Sequence, residues 1–145
     1  MADLAAQSAA AMLDALNRGD FDRFGDGATD DIVYEEPGAG ERFDGKPAYL
    51  ERLRRVRRAF PDLTGTLETQ TVVALELTWR GTHTGPLIGP LGEVPATGRS
   101  VVTRTAVVID YGPDGRARAV CNYTSPLLLL QQIGAFTPSA EAATS

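Results

Sequence analysis

The chain changes character at Pro61-Asp62. Before that dipeptide, apolar residues recur mainly at helical spacing. After it come Val-, Thr- and Leu-rich stretches divided by Gly and Pro, the composition of strands and turns. Helices first and antiparallel strands afterwards define an α+β fold. A strongly curved sheet wrapped over the helices would leave a cone with an apolar pocket, the default place for a ligand.

The elements can be placed from their signals. Leu4 to Asn17 carries Ala5, Ala9, Met12, Leu13 and Leu16 at helical spacing, and Gly19 ends that helix. Phe21 to Phe24 reads as a further helical turn, and Ile32 to Glu36 as a short strand closed by Pro37-Gly38. Lys46 to Phe60 is the second long helix, with Pro47 in its first turn and Tyr49, Leu50, Leu53, Val56 and Phe60 on one face. Arg52, Arg54, Arg55, Arg57 and Arg58 are assigned to the opposite face, read as solvated rather than as an anion-binding patch. Strands are expected over Leu63 to Leu67, Thr71 to Thr84, Ser100 to Tyr111 and Ala117 to Ser125. Gly112-Pro113-Asp114-Gly115 joins the last two as an antiparallel hairpin. A short helix opens at Pro126 and ends at Gly134. The expectation is one domain over residues 1–136, with 137–145 a frayed polar tail.

Composition removes several function classes. A net charge of −5 argues against nucleic acid, which asks for a basic stripe. One Cys and one His can form neither an internal disulfide nor a closed zinc site. No apolar run approaches ~18 residues and no basic leader precedes one, so neither a membrane span nor a signal peptide is read, and a cytoplasmic location is expected. Dinucleotide, phosphate-loop and nucleophile-elbow motifs are missing, and no cofactor is implied.

The stretch Trp79-Arg80-Gly81-Thr82-His83-Thr84-Gly85-Pro86-Leu87, followed by Pro95-Ala96-Thr97-Gly98-Arg99, closely resembles the central hairpin of the SnoaL-type polyketide cyclases, cofactor-free members of the nuclear transport factor two-like superfamily. Three other segments resemble the same group. Asn17-Arg18-Gly19-Asp20-Phe21 is similar to its helix-ending N-A-G-D-L, and Asp30 to Pro37 to its first strand D-D-V-x-W-x-D-P. Asn122-Tyr123 with Leu130 to Gly134 is similar to N-Y-x-D followed by L-x-Q-L-G. The resemblance implies the cone fold and a small hydrophobic substrate. It also implies a homodimer or homotetramer through the outer sheet face. The acid/base Asp of the aldol-type cyclases falls on Ser125, which is no base by itself. In the ketosteroid isomerases of the superfamily, the general base falls on Glu36. Their two oxyanion donors fall on Leu13 and Val107, which cannot donate.

Candidate residues follow. Ile32, Tyr34 and Glu36 share a strand face, and burial there would suit Glu36 to general-base work. Glu36, Tyr123 and Tyr34 are the catalytic candidates, the phenols as oxyanion donors. The substrate-binding candidates are Glu76, Trp79, His83, Thr105, Cys121 and Ser125. Glu76 pairs with Glu36 if both point inward, or faces solvent with Thr78 and Arg80. For His83 a hydrogen bond to the backbone at the hairpin's end is the preferred alternative, and for Cys121 an inert buried thiol. The Gly85 to Thr97 loop, with Leu87, Ile88 and Leu91, is a candidate lid or subunit contact. The expected activity is a cofactor-independent cyclase or isomerase for a polyketide-like intermediate, by a route other than the Asp-dependent aldol. The alternatives are epoxide hydrolysis, as in the limonene-epoxide-type relatives, or non-catalytic binding of a hydrophobic metabolite.

Overall fold

Helix α1 (Ala2–Arg18) turns Ala5, Ala9, Met12 and Ala15 inward at three- and four-residue spacing. It ends where Gly19 takes a left-handed φ of +71°. The Asp20 carboxylate then accepts from Arg23 N at 3.1 Å and starts α2 (Phe21–Asp26). The computed structural model describes residues 2–70, 74–90 and 92–136. Along the chain follow β1 (Ala28–Glu36), a 3-10 turn (Pro37–Ala39), β2 (Glu41–Asp44) and α3 (Lys46–Ala59). Then come β3 (Thr64–Gln70), β4 (Ala74–Thr82), β5 (Leu87–Gly89), β6 (Gly92–Val94), β7 (Ser100–Tyr111), β8 (Ala117–Tyr123) and α4 (Pro126–Gln132). Among the described residues, no helix is long and apolar enough to cross a membrane.

Six strands form one curved mixed sheet in the order β2-β1-β8-β7-β4-β3, with β1 and β8 parallel and every other pair antiparallel. The expected β7–β8 hairpin is present, with Val107 opposite Asn122. Two elements escaped the sequence reading. Strand β2 is Glu-Arg-Phe-Asp, without an apolar run, and exists because β1 offers it an edge that sets Phe43 opposite Tyr34. The Gly/Pro-rich loop after His83 contains its own two-stranded ribbon, β5–β6. Leu91, the Thr71–Val73 part of the expected long strand, and the tail 137–145 lie outside the described residues.

The main core lies between the helices and the concave sheet face. It unites Ala9, Met12 and Ala15 with Phe24, Ile32, Tyr34, Tyr49, Leu75, Leu77, Val107, Ile109 and Val120. A second cluster of Ala59, Phe60, Val101 and Ile133 closes the other end, with Leu87, Leu129 and Leu130 packed against it. Asn17 ties α1 to β3 by a reciprocal pair, Nδ2 donating to Gly65 O at 2.9 Å and Oδ1 accepting from Gly65 N at 2.7 Å. A Cβ on Gly65 would stand 2.6 Å from the Trp79 ring, so a bare backbone there lets the indole lie across the sheet.

Candidate active site

Between α1, α3 and the sheet lies a cavity of about 220 Å³. That exceeds by far the ~10–15 Å³ one water needs, so it is a ligand-sized space and not a packing defect. Its walls are mostly aliphatic and aromatic, among them Met12, Leu53, Val56, Leu75, Leu77, Trp79 and Val107. Polar groups enter from Glu36, Arg52, Tyr34, Thr124, Asn122, Thr103 and Thr105.

Glu36 is the centre of this polar group and only 6% exposed. It stands at the end of β1, where alternation buries Ile32, Tyr34 and Glu36 together. Its Oε2 accepts from Tyr34 Oη at 2.9 Å and from Arg52 Nη2 at 2.9 Å, and its Oε1 accepts from Thr124 Oγ1 at 2.9 Å. A carboxylate offers about four acceptor positions. Three are taken by protein donors, leaving one for a substrate. Arg52 also donates from Nε to Glu41 Oε2 at 3.1 Å, so a single cation bridges two carboxylates. Burial works against the Arg52 guanidinium, but Glu36, Tyr34 and Glu41 outweigh it and hold it above its ordinary value.

Tyr34 is pushed well above the ordinary phenol range, by burial first and then by the Glu36 charge. It therefore stays neutral and donates a hydrogen bond to Glu36. Asn122 Nδ2 donates to the same phenol oxygen at 3.1 Å, which fixes the orientation of the amide and completes a directed chain Asn122–Tyr34–Glu36. The Tyr34 ring is clamped by stacking on Tyr49 at 4.6 Å and 19°. Trp79 donates from Nε1 to Thr105 Oγ1 at 3.0 Å, which holds the indole in the wall.

Not every sequence candidate reaches the cavity. Tyr123 is 52% exposed and Cys121 lies on its side of β8, while Val120, Asn122 and Thr124 point inward. The assignment of β8 faces was off by one residue, and in a period-two structure that exchanges the whole set. Ser125 lies past the strand and caps α4, accepting from Leu128 N at 3.4 Å. Glu76 is exposed on the convex face opposite Ala106, so the paired inward carboxyls are not formed; the acid near Glu36 is Glu41. His83 is fully buried but does not line the cavity. Its ring packs 5.2 Å from Phe60, its Nδ1 pairs with Thr97 Oγ1 at 2.9 Å, and its backbone bonds Thr97, Gly98 and Arg99. Within the candidate lid, Leu87 lines the cavity and Ile88 is exposed.

The arginine run requires a correction. Arg54, Arg55 and Arg58 are on the outside, but the Arg52 side chain is only 18% exposed and turned into the site. Arg57 is drawn inward as well. Its Nη1 donates to Pro61 O and Leu63 O, both at 3.0 Å, and its Nη2 to Leu16 O, which ties the end of α3 to the end of α1. The signal was in the spacing: Arg52 follows Tyr49 by three residues and precedes Val56 by four, the separations that share a helix face. Among the described residues no cluster of His, Cys, Asp and Glu is arranged to hold a metal ion.

A curved mixed sheet closed by helices over an apolar cavity defines the class of nuclear transport factor two-like cones. The sequence profile of the SnoaL-like polyketide cyclases matches residues 6–133, and the chain belongs to that family. TsrD from Streptomyces laurentii is similar with a TM-score of 0.78 at 22% identity, over 92% of this chain and 97% of that one. AclR from Streptomyces galilaeus, described as a candidate hydroxylase, gives 0.77 at 22% identity over 92% and 97%. IdmH from Streptomyces antibioticus, described as a candidate polyketide cyclase, gives 0.72 at 26% identity over 90% and 98%. Comparison with curated proteins gives no match.

Proposed function

We propose that this protein is a cofactor-independent cyclase or isomerase that closes a ring on a polyketide or related natural-product intermediate, with Glu36 as the general base. The observation that carries this reading is a buried carboxylate, charge-balanced by Arg52, with one acceptor position left inside an otherwise apolar cavity. The reorganisation cost of the carboxylate is met by fixed donors before substrate arrives. Glu36 removes the proton of a substrate hydroxyl, whose oxygen attacks an epoxide or activated alkene carbon. The C–O bond forms, the displaced electron pair ends on oxygen or carbon, and the proton returns there, so composition is unchanged. The cavity walls supply orientation, which is worth up to ~7–11 kcal/mol of barrier when reacting atoms are held in line.

The same geometry supports a second reading. Glu36–Arg52–Glu41 is a carboxylate–guanidinium–carboxylate triad, and a water in place of the substrate hydroxyl would give epoxide hydrolysis. Self-association through the outer sheet face is part of the proposal, supported by the exposed Val102, Val108 and Tyr123.

Turnover of linear and epoxidised polyketide-type substrates by wild type and Glu36→Gln, followed by mass and connectivity, tests these readings. A product of unchanged mass and new ring connectivity, lost in the variant, is the expected result. A product heavier by one water selects hydrolysis. Tight binding without conversion by either protein leaves a metabolite-binding module and overturns the enzyme reading.

A further inference from the structure

The groups around Glu36 are tied to it and to one another. Tyr34 donates to Glu36, Asn122 to Tyr34, and Arg52 through Nη2 and Nε to Glu36 and Glu41. Tyr49 differs. It is 5% exposed, lines the cavity, and its hydroxyl has no hydrogen-bond partner among the described residues. Nor does that oxygen belong to the sealed, unsatisfied side-chain atoms of the described residues, which are Thr29 Oγ1, His83 Nε2, Tyr111 Oη and Asn122 Oδ1. It is open, and the ring that carries it lines the cavity. A phenol hydroxyl that no protein group accepts, in a ring that lines a cavity, is free to donate to an acceptor that enters.

The ring is held for that purpose. Tyr34 stacks on one face at 4.6 Å, and Phe24 meets it edge-on at 5.6 Å and 73°. Tyr49 precedes Arg52 by three residues on α3, so phenol and guanidinium share a helix face. Burial first, then Tyr111 and Glu36 against the opposing pull of Arg52, hold the phenol neutral far above working pH, which makes it a donor of hydrogen bonds and not of protons.

We propose that the Tyr49 hydroxyl is the hydrogen-bond donor that receives a ketone-type carbonyl oxygen of the ligand, and so selects for carbonyl-bearing substrates in the Glu36 cavity. The inference rests on that cavity being the substrate site, as in the reading above, but it concerns binding and not turnover. Tyr49 is then a specificity residue that touches substrate, and any charge that develops on that oxygen meets a donor already in place.

The test compares 1-tetralone with tetralin, a ring pair alike in shape but differing in the carbonyl, on wild type and Tyr49→Phe. Quenching of Trp79, the chain's single Trp and a cavity wall, reports binding. Loss of one neutral hydrogen bond weakens 1-tetralone about five- to tenfold in the variant, while tetralin binds both proteins alike. The infrared carbonyl stretch of bound 1-tetralone lies lower in wild type than in Tyr49→Phe, a change that packing alone does not give. The unfolding midpoint is unchanged, because the deleted hydroxyl has no partner in the free protein. Equal affinity and equal carbonyl frequency in both proteins overturn the assignment, and so does failure of wild type to prefer 1-tetralone over tetralin. Carbonyl selectivity lost in Tyr49→Phe while no substrate turns over would leave Tyr49 in place and remove the cyclase reading; turnover with unaltered selectivity would do the reverse.

Discussion

Arg52→Met removes the cation that holds the site together and keeps most of the apolar stem. In the folded protein Arg52 faces two carboxylates, and the three side chains are 18%, 7% and 16% exposed for Arg52, Glu36 and Glu41. Groups so shielded cannot recover the lost interaction from water. Removing one partner of a buried ion pair typically costs about 3–5 kcal/mol, because an uncompensated charge remains. At a urea m-value of about 2 kcal/mol/M, the unfolding midpoint should fall by roughly 1.5–2.5 M with m unchanged. Glu36→Gln added to Arg52→Met should restore about half of the loss, since Glu41 still lacks its partner. Adding Glu41→Gln should restore most of the remainder. A midpoint drop below about 0.5 M would refute the argument: it would mean that the triad is solvated and that Glu36 is not held as a preorganised base.

Gly85→Ala should destabilise by at least about 3 kcal/mol or prevent soluble expression, read by thermal unfolding, because a Cβ there would stand 1.7 Å from Arg58 O and 2.6 Å from Arg58 C. His83 is lowered from its ordinary value by burial, so its neutral form favours the fold. The stability it contributes is full above the unfolded-state value of about 6.5 and is lost as pH falls through the lower folded value. Urea midpoints measured across that window should decline in wild type and decline less in His83→Gln. Tyr123→Phe and Ser125→Ala should leave turnover within about twofold of wild type, while Ser125→Ala lowers stability by about 1 kcal/mol through the lost α4 cap. A large loss of turnover in either would return these positions to the chemistry.

The order of helices and strands, the helix ends and the β7–β8 turn were legible in the chain because each is written in residues close together. Apolar spacing, Gly19, Pro47, Pro126 and the Gly112 to Gly115 turn act within a few residues of themselves. The inward face of β1, and with it Glu36, was legible for the same reason: period-two alternation needs only the strand. Tertiary structure decided the rest. The inward face of β8 depends on its register with β1 and β7, which set Cys121 beside Glu35 and Asn122 opposite Val107, and a strand of mixed polarity does not announce it. Strand β2 has no signal apart from the edge it covers. Arg52 looked like one of five solvated arginines, and only the fold brings two carboxylates, Glu36 and Glu41 from β1 and β2, to the place on α3 where its charge becomes part of the site. Local sequence sets which elements form, because backbone propensity and side-chain period act over one or two turns. The site is assembled by contacts between residues 11 to 88 positions apart, such as Glu36 with Thr124 at a separation of 88, with Arg52 at 16, and Arg52 with Glu41 at 11, and those contacts are chosen by packing.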